Sequence, residues 1–150
     1  LHWARDHSKL IPRLISLLAP QGVLAVQMPD MKFSPSHQIL RAMCMEEPWK
    51  EWLSEIPSYS NVLGIDFYIA MLKDLKMEAW ETTYHHLLTG PDPVVEWMKG
   101  SAMRPMMTRL PPDLQKRFVE EYRKRVGQAY PEMAGTTRIS FRRIFFVATG

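Results

Sequence analysis

The sequence predicts an α/β fold in which a helix feeds a buried strand, and three observations carry that expectation. Leu10, Leu14, Leu17 and Leu18 recur at helical spacing ahead of a Pro-Gln-Gly turn and the apolar run Val23-Leu24-Ala25-Val26-Gln27. Two later segments, 77–86 and 139–149, are rich in β-branched and aromatic residues and read as strands. Between them lies a long amphipathic helix over 112–130, with Leu114, Phe118, Tyr122 and Val126 on one stripe.

Taken in order, the first helix is expected over roughly 7–19, with Ile11 and Ile15 beside the leucines and Asp6 or Ser8 as its cap. Pro12 removes a backbone donor, so the helix either starts late or bends there. Residues 19–22 turn the chain into the strand that ends at Met28-Pro29, whose unbroken apolar run predicts a central parallel strand buried on both faces. Helix, turn and strand form the second half of a βαβ unit. The strand that should precede the helix is missing, and because the first residue is Leu1, the chain is expected to begin inside a longer gene product.

Residues 30–76 break the rhythm with Pro35, Pro48 and Pro57 and with short helical patches around 35–46, 48–54 and 65–76. Trp49, Trp52, Tyr59, Phe67 and Tyr68 are spread through them, as in a lid over a pocket or a helical layer that only covers the sheet. A short helix is expected over 93–99, stopped by Gly100. In the long helix, Glu120–Lys124 and Glu121–Arg125 support the exposed face, and Pro131 ends it.

Composition narrows the function. The 150 residues suffice for one domain with a core, and a net charge of +3 is too weak a bias to imply nucleic acid. Cys44 stands alone, so no internal disulfide forms and a reducing cytoplasmic setting is expected. No apolar run approaches the ~20 residues of a membrane span. Eleven methionines and five tryptophans suit either core packing or an adaptable apolar pocket. The glycines at 22, 64, 90, 100, 127, 135 and 150 are too scattered for a nucleotide loop, and no GxSxG elbow occurs. His85 and His86 are adjacent on a strand and point to opposite faces, so no metal site is expected.

The order of elements, together with local motifs, resembles the C-terminal half of a class I S-adenosylmethionine-dependent methyltransferase. In that Rossmann-like sheet a parallel fifth strand is followed by a sixth and by an antiparallel seventh inserted between them. Residues 23–28, 77–86 and 139–149 would be those three strands, with the helical insert at about 30–76. The resemblance is narrower to the trans-aconitate methyltransferases. It rests on Leu1-His2-Trp3-Ala4-Arg5-Asp6-His7, on Gly22 to Asp30, on Val95-Glu96-Trp97-Met98-Lys99-Gly100 and on Ala129-Tyr130-Pro131-Glu132-Met133-Ala134. Arg104-Pro105 matches too, although Met103 stands where the family pattern has leucine. The insert matches least. The family's acidic-Gly-x-Gly cofactor loop and its ribose-holding acidic residue are absent, so the half that would bind the cofactor is missing.

The resemblance implies methyl transfer from S-adenosylmethionine to a carboxylate of a small polycarboxylic acid. A carboxylate is already ionised near neutral pH and needs no general base; the site must orient it, exclude water and compensate its charge. Arg104 is the first candidate to hold the acid, the alternative being a surface arginine or a salt bridge. His7 would donate to a carboxylate or simply start the helix, and Trp3 would flank the cofactor or the acid. Tyr84 and His86 would add hydrogen bonds, or sit half-exposed on their strand. Arg142 and Arg143 point to opposite faces of the last strand, so that one reaches the pocket or both meet solvent. Met28 and Pro29 are candidates for apolar pocket wall, and Trp97 for the core. Two rivals remain: a methyltransferase with another small-molecule acceptor, and an inactive fragment that binds a partner or dimerises through an exposed sheet edge.

Overall fold

The computed structural model describes residues 1–56 and 61–150; Pro57 and Tyr59 of the expected insert lie outside the described residues. The described chain falls into two compact units. The first comprises Leu1–Met31, the described part of Ser58–Tyr84, and Phe141–Gly150; the second comprises the described part of Lys32–Pro57, and His85–Ser140.

In the first unit, α1 (His7–Ser16) leads through the turn at 19–22 into β1 (Val23–Pro29). The helix starts on time and runs through Pro12. Asp6 holds its N-terminus from a left-handed conformation (φ 53°) and makes no side-chain cap bond. The turn depends on Gly22, where a β-carbon would lie 2.8 Å from the carbonyl oxygen of Ala19. The helix α4 (Ile65–Leu72) follows, and then β2 (Lys76–Leu88) begins and β4 (Thr136–Thr149) ends in this unit. The sheet order is β1-β4-β2, so the last strand is inserted between the other two, as the methyltransferase resemblance leads one to expect. β4 runs antiparallel to β1, from Val23 opposite Thr149 to Pro29 opposite Arg143. Trp80 stacks on Phe145 and Glu81 pairs with Arg142, so β2 ascends as β4 descends.

Strand alternation divides this sheet into two unlike faces. Val26, Met28, Ile144, Phe146 and Ala148 point to one side and are sealed by Ile11 of α1 and by Tyr68 and Leu72 of α4, all 8% exposed or less. The other side carries Val23, Ala25, Phe145, Val147 and Trp80. Val23 is 56% and Trp80 44% exposed. The expectation that β1 is buried on both faces is therefore corrected. Its residues alternate between exposed and buried: α1 and α4 of this unit pack on one face, and β4 is its one neighbour among the described residues.

The second unit is mainly helical. It contains α2 (Pro35–Cys44), α3 (Lys50–Leu53), α5 (Pro93–Lys99), α6 (Arg104–Arg109) and α7 (Pro112–Ala129), with the short β3 (Glu132–Met133) paired to the start of β4. The helices of the expected insert are thus divided, α2 and α3 to this unit and α4 to the first. Phe118, Tyr122 and Val126 are buried along α7 as the stripe predicts. They pack in a core that includes Leu40, Met43, Met98, Met103 and Met106, so these four methionines fill the core rather than line a pocket. On the solvent side Arg125 meets Glu121 at 2.8 Å, but Glu120 pairs with Arg123 at i+3 instead of Lys124. Trp97 is half-buried against His86 (ring centroids 5.5 Å apart) rather than in the core.

Candidate functional site

Ligands of open α/β sheets gather at the carboxyl ends of the strands. In the first unit that end of β1 is Met28-Pro29, and four groups meet around it. Met28 faces the helix-covered core and is fully buried, so it is not pocket wall; Pro29 is half-buried. Asp30 is buried and ion-paired to Arg142, which also reaches Glu81 at 3.5 Å. The amide of Asp30 donates to the carbonyl of Arg142 at 2.9 Å, fixing the strand end.

Arg143 sits opposite Pro29 on the other face. Its guanidinium lies 5.2 Å from the centre of the Phe141 ring, and its Nε is buried with no hydrogen-bond partner. A desolvated donor left without an acceptor costs about 1–3 kcal/mol. The positive field of Arg143 reaches His2, whose pKa is lowered, first by burial and then by neighbouring positive charges, Arg143 among them. The rings of His2 and Trp3 are 5.2 Å apart. Asn61 ties their backbone in place, its amide donating to the carbonyl of His2 at 3.1 Å and its side-chain nitrogen to that of Trp3 at 3.4 Å.

The residues singled out in the sequence fall in both units. Trp3, in the first, is 75% exposed. His7, also in the first, is 2% exposed and both of its ring nitrogens are engaged, Nδ1 with the Tyr68 hydroxyl at 2.7 Å and Nε2 with the Leu1 carbonyl at 3.1 Å. Tyr68 accepts the Leu63 amide at 3.1 Å, and its pKa is raised, chiefly by burial. His7 thereby fastens the opening segment, carrying His2 and Trp3, to α4. Tyr84 is 43% exposed on β2. In the second unit His86 packs against Trp97, and Arg104 is the exposed first residue of α6.

Other polar groups of the second unit close on one another. Tyr130 binds the Ser34 hydroxyl at 3.0 Å and accepts the Ser36 amide at 3.1 Å, while Tyr122 donates to the Ser36 carbonyl at 3.1 Å. His37, beside them, has its pKa pushed down to about 4 by burial and by Arg41. Sequence reasoning left Arg143 level with Arg142 and passed over His2. Alternation separates the two arginines, but only the contact of Arg142 with Asp30 shows which one is taken.

Comparison with known proteins gives a uniform result. The chain is 40% identical over 152 residues to a trans-aconitate 2-methyltransferase of Variovorax paradoxus, 99% of this chain and 59% of the relative. It is 36% identical to that of Methylobacterium radiotolerans over 155 residues and 39% identical to that of Mycobacterium tuberculosis over 153, with the same coverage. The chain thus spans about 59% of the length of the curated relatives it matches, their C-terminal part. No family model matches it.

Proposed function

We propose that this chain, a homologue of the trans-aconitate 2-methyltransferases over 99% of its own length, is the acceptor-side part of an S-adenosylmethionine-dependent methyltransferase acting on a carboxylate of a small polycarboxylic acid. The observation that carries the reading is an overall identity of 35–40%, in alignments that cover 99% of the chain, to relatives that share one name. The inserted last strand of the β1-β4-β2 sheet supports it.

The described residues do not by themselves fit the cofactor. The two glycines with positive φ, Gly90 and Gly135, stand singly in turns, and Gly22 is packed against Ala19, so no glycine-rich strand-to-helix loop is built. The methyl donor's half of the site is assigned to the part of the relatives' length that has no counterpart here. What this chain offers is charge and shape for an acid that needs no deprotonation: cationic side chains to hold it and Trp3 as an apolar wall. Arg104 and Trp3 keep exposed side chains and remain proposed contacts, each within its own unit; Tyr84 and His86 are proposed as secondary donors. His7 is proposed to position the His2-Trp3 segment rather than to touch the acid.

A cytoplasmic setting is proposed because Cys44 is free and buried, its thiol pushed up to about 11 by burial and so unreactive. No helix among the described residues is long and apolar enough to cross a membrane. The edge of β1 that no strand pairs among the described residues is the proposed place for pairing with another chain.

The deciding experiment offers the intact enzyme S-adenosylmethionine with a panel of di- and tricarboxylic acids, amines and alcohols, and identifies products by mass. Methyl esters of a tricarboxylic acid are expected. Methylation of amines or alcohols with none of any acid would overturn the acid reading while leaving methyl transfer in place. Arg104→Ala is expected to raise the KM for the acid about tenfold or more while leaving cofactor affinity unchanged; an unchanged KM removes Arg104 from the site.

A further inference from the structure

The polar residues around the start of α2 form a hydrogen-bonded relay with a direction. Ser34 is the N-cap of that helix, yet its hydroxyl makes no cap bond. It turns instead to the Tyr130 hydroxyl at 3.0 Å and the Ser36 hydroxyl at 2.8 Å, and the Ser36 hydroxyl meets Nδ1 of His37 at 3.2 Å. One end of the relay is fixed, because an amide can only donate: the Tyr130 oxygen accepts the Ser36 N–H at 3.1 Å. Tyr130 has a single proton to give. If it goes to Ser34, then Ser34 donates to Ser36, Ser36 donates to Nδ1, and every hydroxyl proton is used. The opposite direction puts two donors on the Tyr130 oxygen and leaves its own proton with no acceptor among the described residues. The first direction makes Nδ1 an acceptor, so the ring proton sits on Nε2.

That Nε2 has no partner among the described residues, and it is not one of the donors sealed from solvent. The ring is uncharged near neutral pH, since burial and then Arg41 push its pKa down to about 4. His37 therefore presents one neutral N–H in a set tautomer. Arg41 stands four residues further along α2, on the same face. It reaches back to donate to the Lys32 carbonyl, which draws the guanidinium alongside His37, and the rest of its fork has no partner among the described residues. A neutral donor beside a guanidinium offers several N–H groups and one positive charge, the complement of a single carboxylate. We propose that His37 and Arg41 hold one carboxylate of the acid, Arg41 supplying the charge and His37 its Nε2–H, with Tyr130 as the positioning residue that sets the His37 tautomer through Ser34 and Ser36. The identity of the ligand rests on the acid-methylating reading; the tautomer and the donor pair do not.

Nitrogen-15 nuclear magnetic resonance of the His37 ring in this chain reads the tautomer, with the proton expected on Nε2. Tyr130→Phe removes the first proton of the relay and should shift the ring toward its Nδ1–H form. Titration with trans-aconitate is then followed at Nε2 of His37 and at the Arg41 guanidinium, and both signals are expected to move along one saturation curve. Arg41→Gln should weaken binding about tenfold or more, and Arg41→Lys should recover part of the loss. His37→Gln, which keeps an N–H of similar reach, should bind more tightly than His37→Leu. Gln38→Ala, an exposed change on the same helix, should leave affinity as it was. A parent ring protonated on Nδ1, or an Arg41→Gln variant that binds as tightly as the parent, overturns the receptor without touching the proposed reaction. If acetate moves both signals and trans-aconitate does not, the receptor stands and the polycarboxylic acid reading falls. If neither anion moves either signal, the receptor is overturned, and the turnover assay on intact enzyme decides the reaction separately.

Discussion

The two faces of the first unit's sheet are made from the same three strands and share an apolar composition, yet the described helices of the unit close one of them. On the closed side Met28, Ile144, Phe146 and Ala148 have no exposed surface, and Ile11 and Tyr68 lie against them equally buried. On the open side Val23 is 56% exposed, and Trp80 and Phe145 stack at 5.1 Å with Trp80 still 44% exposed. A sheet with large apolar side chains on both faces has the composition of one covered on both sides. Within this unit the described helices α1 and α4 do so for one. The polar groups divide the same way: Asp30 and Arg142 satisfy each other on the closed side, while Arg143 on the open side keeps a desolvated donor without an acceptor.

The sharpest way to break this comparison is to truncate neighbouring phenylalanines that differ only in the face they occupy. Phe146→Ala removes a ring stacked 5.2 Å from Tyr68 in the closed core and should lower unfolding free energy by about 3–5 kcal/mol. Phe145→Ala should cost less than about 1 kcal/mol, since its ring leans on an exposed tryptophan. Urea titrations of the two variants check this, and equal losses would mean that the open face is packed in solution. The arginine pair gives the next largest effect. Arg142→Ala removes the ion-pair partner of the buried carboxylate of Asp30 and should cost about 2–3 kcal/mol, below the cost of a fully buried pair because Arg142 keeps 36% of its side chain exposed. Arg143→Ala relieves a desolvated donor and loses the contact with Phe141, opposed effects that should leave it within about 1 kcal/mol of the parent.

Much of this architecture was legible before any coordinates. The helix at 7–16, the strand at 23–29, the helices at 35–44, 93–99 and 112–129 and the closing strand follow from periodicity and from proline and glycine punctuation. The inserted position of the last strand followed from the methyltransferase resemblance, since residue patterns alone do not order strands. What could not be read depends on partners distant in sequence. Val23-Leu24-Ala25-Val26 looks buried on both faces because its composition is, and nothing in four residues tells which cover belongs to the chain. His7 looks like a ligand-facing donor until Tyr68, 61 residues away, is seen to occupy it. Arg142 and Arg143 are indistinguishable until Asp30, 112 residues from Arg142, selects one of them. The helix α6 carried no expectation from the sequence; Pro105 occupies its second position, where its missing amide proton costs no helical hydrogen bond.

A smaller effect probes how the closed side supports the open one. Tyr68→Phe keeps the ring in the core but removes the hydroxyl that meets His7 and the Leu63 amide. It should cost about 1–2 kcal/mol and should loosen the segment bearing His2 and Trp3, seen as faster amide exchange at Ala4, whose amide donates to Leu1. Unchanged exchange would detach that segment from the core and weaken the positioning role given to His7.

The least effect in energy is the most specific to the open side. His2 titrates below its ordinary value, first because it is partly buried and then because positive groups, Arg143 among them, oppose its protonation. Arg143→Gln removes one of those charges, so the His2 pKa should rise, though only part of the way to 6.5, because burial remains. The sign for stability follows. A histidine whose folded pKa lies below its unfolded one binds its proton more readily when unfolded. Its contribution is therefore present above about pH 6.5 and is lost as the pH falls through the folded value. In Arg143→Gln that loss should shrink, making the variant slightly less acid-sensitive than the parent over the same window. Arg142→Gln should leave the His2 titration where it is, because that charge is neutralised by Asp30 on the opposite face. A His2 pKa that moves in neither variant would separate His2 from Arg143 electrostatically and leave burial as the main cause of its low value.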